Sequence, residues 1–114
     1  MRVLNVTRGT VLGERVHTAQ GFFGRMVGLL GKNRLEEGEG LWISPCISIH
    51  SIGMRFVFDA LFIGPDGEIL RLLEEFQVNR ISVTVRDASG VLELPAGTIR
   101  RTKSAVGDKI RFEP

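Results

Sequence analysis

The run Phe56–Ile63, FVFDALFI, constrains the fold more than any other stretch of this chain. Its residues are apolar at both parities except for Asp59. Successive side chains of a strand project to opposite faces of a sheet, so a strand of this composition is buried on both. The rest of the chain must therefore supply an apolar layer on each side. An acid in the middle of such a strand has to be paired, hydrogen-bonded or neutralised, because an isolated buried charge is very costly. Arg25, the charge on the helix predicted below, is its candidate partner.

The remaining pattern is mostly of the β type. Val3–Val6 and Val11–Thr18 are two short runs broken at Arg8, Gly9 and Thr10, which predicts an opening hairpin. Phe22, Phe23, Met26, Val27, Leu29 and Leu30 fall at helical spacings, with Gly21, Gly24, Gly28 and Gly31 gathered opposite them. Glycine costs about 0.5–1 kcal/mol relative to alanine inside a helix, so such a stripe implies close approach of another chain segment, with ligand contact or a short, irregular helix as the alternatives. Residues 31–40 read as a surface loop. Leu41–Ser44, Cys46–His50 and Arg55–Ile63 read as strands, and the turn Pro65-Asp66-Gly67 leads to Glu68–Phe76 as a hairpin partner. After a polar connection, Gln77–Ser82, the runs Val83–Arg86 and Val91–Leu94 predict another hairpin. A short helix from Pro95–Thr98 to Lys103 and a closing strand, Lys109–Phe112, complete the chain. Without regular β-helix-β alternation, this predicts a mainly β (α+β) fold: a compact antiparallel β-sandwich or barrel with one or two short helices, in a single domain over residues 1–114.

Hydrophobic residues at 43% and charged residues at 25% are the balance of a globular protein rather than a disordered one. The lone cysteine, Cys46, forms no internal disulfide, and no paired Cys or His spacing suggests a metal. The glycines match neither the nucleotide nor the dinucleotide loop, so neither metal nor cofactor is expected. The N-terminus lacks the regions of a signal peptide, and no apolar run approaches the roughly 20 residues that span a bilayer, which predicts a cytoplasmic location. A net charge of +2 is nearly balanced. Its one local bias is Arg100, Arg101, Lys103, Lys109 and Arg111, read as a solvated face, with nucleic-acid contact the weaker alternative.

Cys46, Ser48 and His50 share parity and would project from one face of an extended strand. With Asp59 they permit a Cys-His-Asp nucleophilic constellation, in which the imidazole takes the thiol proton and the acid orients the ring. No nucleophile elbow or oxyanion turn accompanies them, so a buried cysteine and a hydrogen-bonded histidine are the favoured reading. Asp59 is read first as a group that ties backbone amides or an arginine into the fold. Glu93, inside VLELP, faces either a pocket edge or solvent, and Trp42, Met54, Phe56 and Phe58 are assigned to the core. His17 receives no role. The function these residues support is a non-enzymatic small-molecule-binding or accessory domain, with Arg25, His50, Asp59 and Glu93 as candidate ligand-binding residues. The alternative is a small hydrolase-like enzyme using Cys46 or His50 with Asp59.

The order and spacing of several motifs carry a resemblance. They are Arg25 with Gly28 and Leu29, Gly40 with Leu41, PCISIHSIGMRFVFDALFI from Pro45 to Ile63, Asp66-Gly67, VLELPAG from Val91 to Gly97, and Gly107-Asp108. Together, from about residue 15 to 112, the chain resembles the family known as domain of unknown function 192. Many members place Phe-Trp-Met where this chain has Ile49, His50 and Ser51. The resemblance implies a compact β-rich fold and supplies no established reaction, ligand or catalytic residue.

Overall fold

The computed structural model describes residues 1–19 and 34–114. The predicted helix over residues 22–30, its glycine stripe and Arg25 lie outside the described residues. Eight strands are described: β1 (Arg2–Asn5), β2 (Thr10–Gly13), β3 (Arg15–Ala19), β4 (Glu39–Ile43), β5 (Phe58–Ile63), β6 (Ile69–Phe76), β7 (Gly90–Pro95) and β8 (Ile110–Glu113). One short helix, α1 (Thr98–Thr102), follows β7. The strands form a three-stranded sheet in the order β2-β1-β8 and a five-stranded sheet in the order β3-β4-β7-β5-β6. The fold is mainly β and sandwich-like, and its pairing is antiparallel except between β3 and β4, which run parallel.

All six residues of β5 are buried, as its two-sided apolar pattern requires. Phe58, Ala60 and Phe62 enter one cluster, with Leu41, Ile43, Ile49, Met54 and Val91. Leu61 and Ile63 enter the other, with Leu92, Leu94, Ile99, Val3, Leu12 and Ile110. The second cluster lies between the two sheets, where Trp42 of β4 meets Phe112 of β8 with ring centroids 4.7 Å apart. The first lies on the outer face of the large sheet, packed against Cys46, Phe56, Val78, Val85 and Ala88. Two long connections, residues 44–57 and 77–89, thus supply the apolar layer that a third sheet would otherwise provide.

The hairpins at Gly9 and at Pro65–Gly67 form as predicted. Gly9 and Gly67 take φ of 69° and 81°, a region open to glycine at little steric cost. The predicted hairpin of Val83–Arg86 with Val91–Leu94 does not form. β7 instead inserts between β4 and β5, where both of its edges find regular partners. Cys46–His50 is not a regular strand either; only His50 makes a ladder-type bridge, with Ile81. The run Val11–Thr18 divides at Glu14, sending β2 to the small sheet and β3 to the large one.

Candidate functional site

Residues 47–51 and 80–85 run antiparallel across the outer cluster without forming a regular ladder. Their bonds are Ser51 N–H to Arg80 O at 2.8 Å, Ser82 N–H to Ile49 O at 2.8 Å, and Val85 N–H to Ile47 O at 2.8 Å. Serine hydroxyls replace the missing backbone partners. Ser82 Oγ accepts from Ile49 N–H at 2.9 Å, while Ser51 Oγ accepts from Arg80 N–H at 3.0 Å and donates to Gln77 O. Ser51 is fully buried, so its hydroxyl holds the two segments together from below.

Above this brace lies a cleft of ≈ 420 Å³ lined by Ser48, Ile49, His50, Ile52 and Ile81. Ile49 forms its floor and belongs to the core. Ile52 and Ile81 are 53% and 74% exposed, and Ile47 and Val83 nearby on the same segments are also exposed. Scattered surface apolar residues are ordinary, but four on two paired segments around one half-buried imidazole form a concentrated apolar surface. No acid occurs over residues 40–58 or 76–86, whereas Arg55, Arg80 and Arg86 do. Among the described residues the cleft is lined mainly by isoleucine, and the arginine next to it in sequence is Arg80, which precedes Ile81.

The other candidates fall elsewhere. Asp59 projects from β5 toward the core between the sheets, since its register partner is Leu94 and its sequence neighbours Phe58 and Ala60 face the outer cluster. Its Oδ1 accepts Glu75 N–H and its Oδ2 accepts Ile99 N–H, both at 2.8 Å. Phe58 pairs with Phe76 and Ala60 with Leu73, so β6 carries one extra residue here, and Glu75 takes φ of 51° at that bulge. One fully buried side chain thus satisfies both a bulge and the first turn of α1. Cys46 packs against the opposite face of the sheet and donates its thiol to Ser48 O at 3.0 Å. Cys46 and Asp59 are not brought together.

Glu93 is fully buried on β7, opposite Leu41 on one neighbouring strand and Ala60 on the other. It has the parity of Val91 and so faces the outer cluster. All five of the basic group are exposed; Lys109 lies 3.7 Å from Glu68 and Arg111 3.2 Å from Glu113, which leaves Arg100, Arg101 and Lys103, around α1, outside any ion pair among the described residues.

Two features of the structure carry little signal in the sequence. Ile81 sits in the polar stretch QVNRIS, and its only sequence signal is an isoleucine where a connection has no need of one. Asp108 closes a second polar network, accepting from Asn5 Nδ2 at 3.0 Å, Arg8 Nε at 2.9 Å and Ala105 N–H at 2.9 Å. Burial works to raise its pKa, but the hydrogen bonds from Arg8, Asn5 and Ala105, with the charge of Arg8, hold it below the ordinary carboxylate value.

Among the described residues no helix is long and apolar enough to cross a membrane. A protein of unknown function from Novosphingobium aromaticivorans superposes with a TM-score of 0.84 at 20% identity, over 98% of this chain and 84% of that one. A Sinorhizobium meliloti protein, provisionally described as a transcription regulator, superposes with a TM-score of 0.79 at 24% identity, over 96% and 89%. At these identities the likeness shows a shared fold. A UPF0127 protein of Pyrococcus furiosus is 28% identical over 115 residues, covering 96% of this chain and 97% of its own. The model of the family DUF192, described as "Uncharacterized ACR", matches residues 3–112. This chain belongs to that family, domain of unknown function 192.

Proposed function

We propose that the protein is a non-enzymatic binding domain whose ligand site is the cleft beside His50. One observation carries this reading: a half-buried imidazole stands in a cleft whose other walls, among the described residues, are Ser48 and three isoleucines, two of them largely exposed. Ligand sites are mostly apolar concavities with a few convergent polar groups, commonly about 300–1,000 Å³ in volume, and this cleft has that character. The serine brace beneath it gives the walls a fixed separation, which reduces the ordering cost of binding. Among the other candidates, Asp59 serves the fold through its two amide bonds, and Glu93 lies beneath the cleft's side of the sheet. The reading includes a cytoplasmic location, where a lone thiol such as Cys46 stays reduced.

The test is an amide-resolved NMR screen of small amphiphiles against the parent protein and Ile81→Glu. Hits that perturb Ser48–Ile52 and Ile81 in the parent and vanish in the variant support the site. Hits that map elsewhere, or that survive Ile81→Glu unchanged, refute it.

A further inference from the structure

We infer that the ligand class of this cleft is an aliphatic carboxylate, a short-to-medium apolar chain ending in one negative charge. The inference rests on the binding site proposed above and adds the chemistry of its occupant. Among the described residues the walls are aliphatic, with Ile49, Ile52 and Ile81 contributing branched surface and no aromatic ring on which a base or sugar could stack. Among the described residues Ser48 and His50 are the polar side chains lining it, too few to satisfy a polyhydroxylated or multiply charged ligand, whose unpaired groups would be costly to desolvate. The chain interior of the ligand must therefore be apolar.

The sign of the head group follows from the charges on the two segments that form the cleft. Residues 40–58 and 76–86 contribute Arg55, Arg80 and Arg86 and no acid; Glu75 and Asp87 are the first acids beyond the 76–86 segment. Among the described residues neither Arg80 nor Arg86 is held in an ion pair, and both are exposed. Arg80 is also fixed at the backbone, through Ser51 on both its N–H and its carbonyl, beside the His50–Ile81 bridge. Arg80 adjoins the lining residue Ile81, so an anionic head at that end of the cleft meets complementary charge, whereas a cationic one meets like charge. A volume of ≈ 420 Å³ open to solvent suits a single chain rather than a lipid bearing two.

Octanoate, 1-octanol and octylammonium, each below its aggregation concentration, share one chain length and differ in head charge, so NMR titration of the three separates the two claims. The expected order of affinity is octanoate, then octanol, then octylammonium, with shifts confined to Ser48–Ile52 and residues 80–83. The double variant Arg80→Gln/Arg86→Gln should weaken octanoate about fivefold and leave octanol unchanged. Ile81→Ser should weaken both by about tenfold while melting like the parent, because that side chain is 74% exposed. Equal binding of all three overturns the carboxylate assignment and leaves the binding site standing. Absence of binding by any of them overturns both. Sedimentation showing a concentration-dependent dimer abolished by Ile81→Ser, or binding to anionic vesicles without binding of free octanoate, assigns the surface to another occupant and likewise overturns the inference.

Discussion

Replacing Asp59 with alanine removes the acceptor for two backbone N–H groups at once, Glu75 at the β6 bulge and Ile99 in the first turn of α1. A buried donor left without a partner costs about 1–3 kcal/mol. The bond to Ile99 is buried, whereas Glu75 is itself exposed and water relieves part of its loss. The expected destabilisation is therefore about 2–4 kcal/mol, a large share of the total for a domain of this size. It corresponds to a fall in Tm of roughly 10–20 °C. Asp59→Asn keeps one oxygen but turns an amide donor toward the other N–H, and should recover at most half of the loss. Trp42, the chain's single tryptophan, sits where the two sheets meet and reports global unfolding in a urea titration. Hydrogen exchange at Ile99 reports the local bond. If Asp59→Ala costs less than about 1 kcal/mol, and Ile99 exchanges no faster, the carboxyl does not brace the fold and its assignment is wrong.

Asp108 predicts a pH dependence. Its native pKa is depressed below 3.8, so the stability it contributes is fully present above that value and is lost as pH falls through the lower native pKa. Asp108→Asn should be less stable at neutral pH and show a flatter acid limb, measured by urea midpoints at successive pH values. Gly90→Ala places a Cβ 2.5 Å from Ile43 O and 2.6 Å from the Trp42 ring. It should lower stability by about 1–3 kcal/mol and shift the Trp42 emission, whereas Gly90→Ala at parental stability would disprove that close approach. Ser51→Ala removes the brace beneath the cleft; residues 77–82 should exchange amide protons faster, with a stability loss of about 1–3 kcal/mol.

What was legible in the sequence was mainly local. The two-sided burial of Phe58–Ile63 followed from its composition, and the turns at Gly9 and Gly67 from residues that tolerate positive φ. The place of β7 is not legible, because Val91–Leu94 is equally suited to the strand before it and to the more distant β4 and β5; the choice is made by packing. Cys46–His50 and Val83–Arg86 have strand-like composition, yet Ser51 and Ser82 divert their hydrogen bonds into a side-chain-braced pairing. His50 stood out as a polar residue in an apolar run. Ile81 did not, since its significance depends on which segment lies opposite it. The apolar run around Asp59 demands partners for its carboxylate, and it finds them in two amides whose proximity the bulge and α1 create.

The insertion of β7 between β4 and β5 sets the order in which the molecule can assemble. Until Gly90–Pro95 has been made, β4 has only β3 beside it and β5 only β6, and the small sheet lacks β8 until the last residues arrive. A chain emerging from the ribosome therefore carries separate ribbons with apolar open edges, and neither sheet is complete before the C-terminal quarter is available. A chain cut short before Gly90 is a poor fragment of this fold: its most hydrophobic strand, Phe58–Ile63, is left with one side of its backbone unpaired.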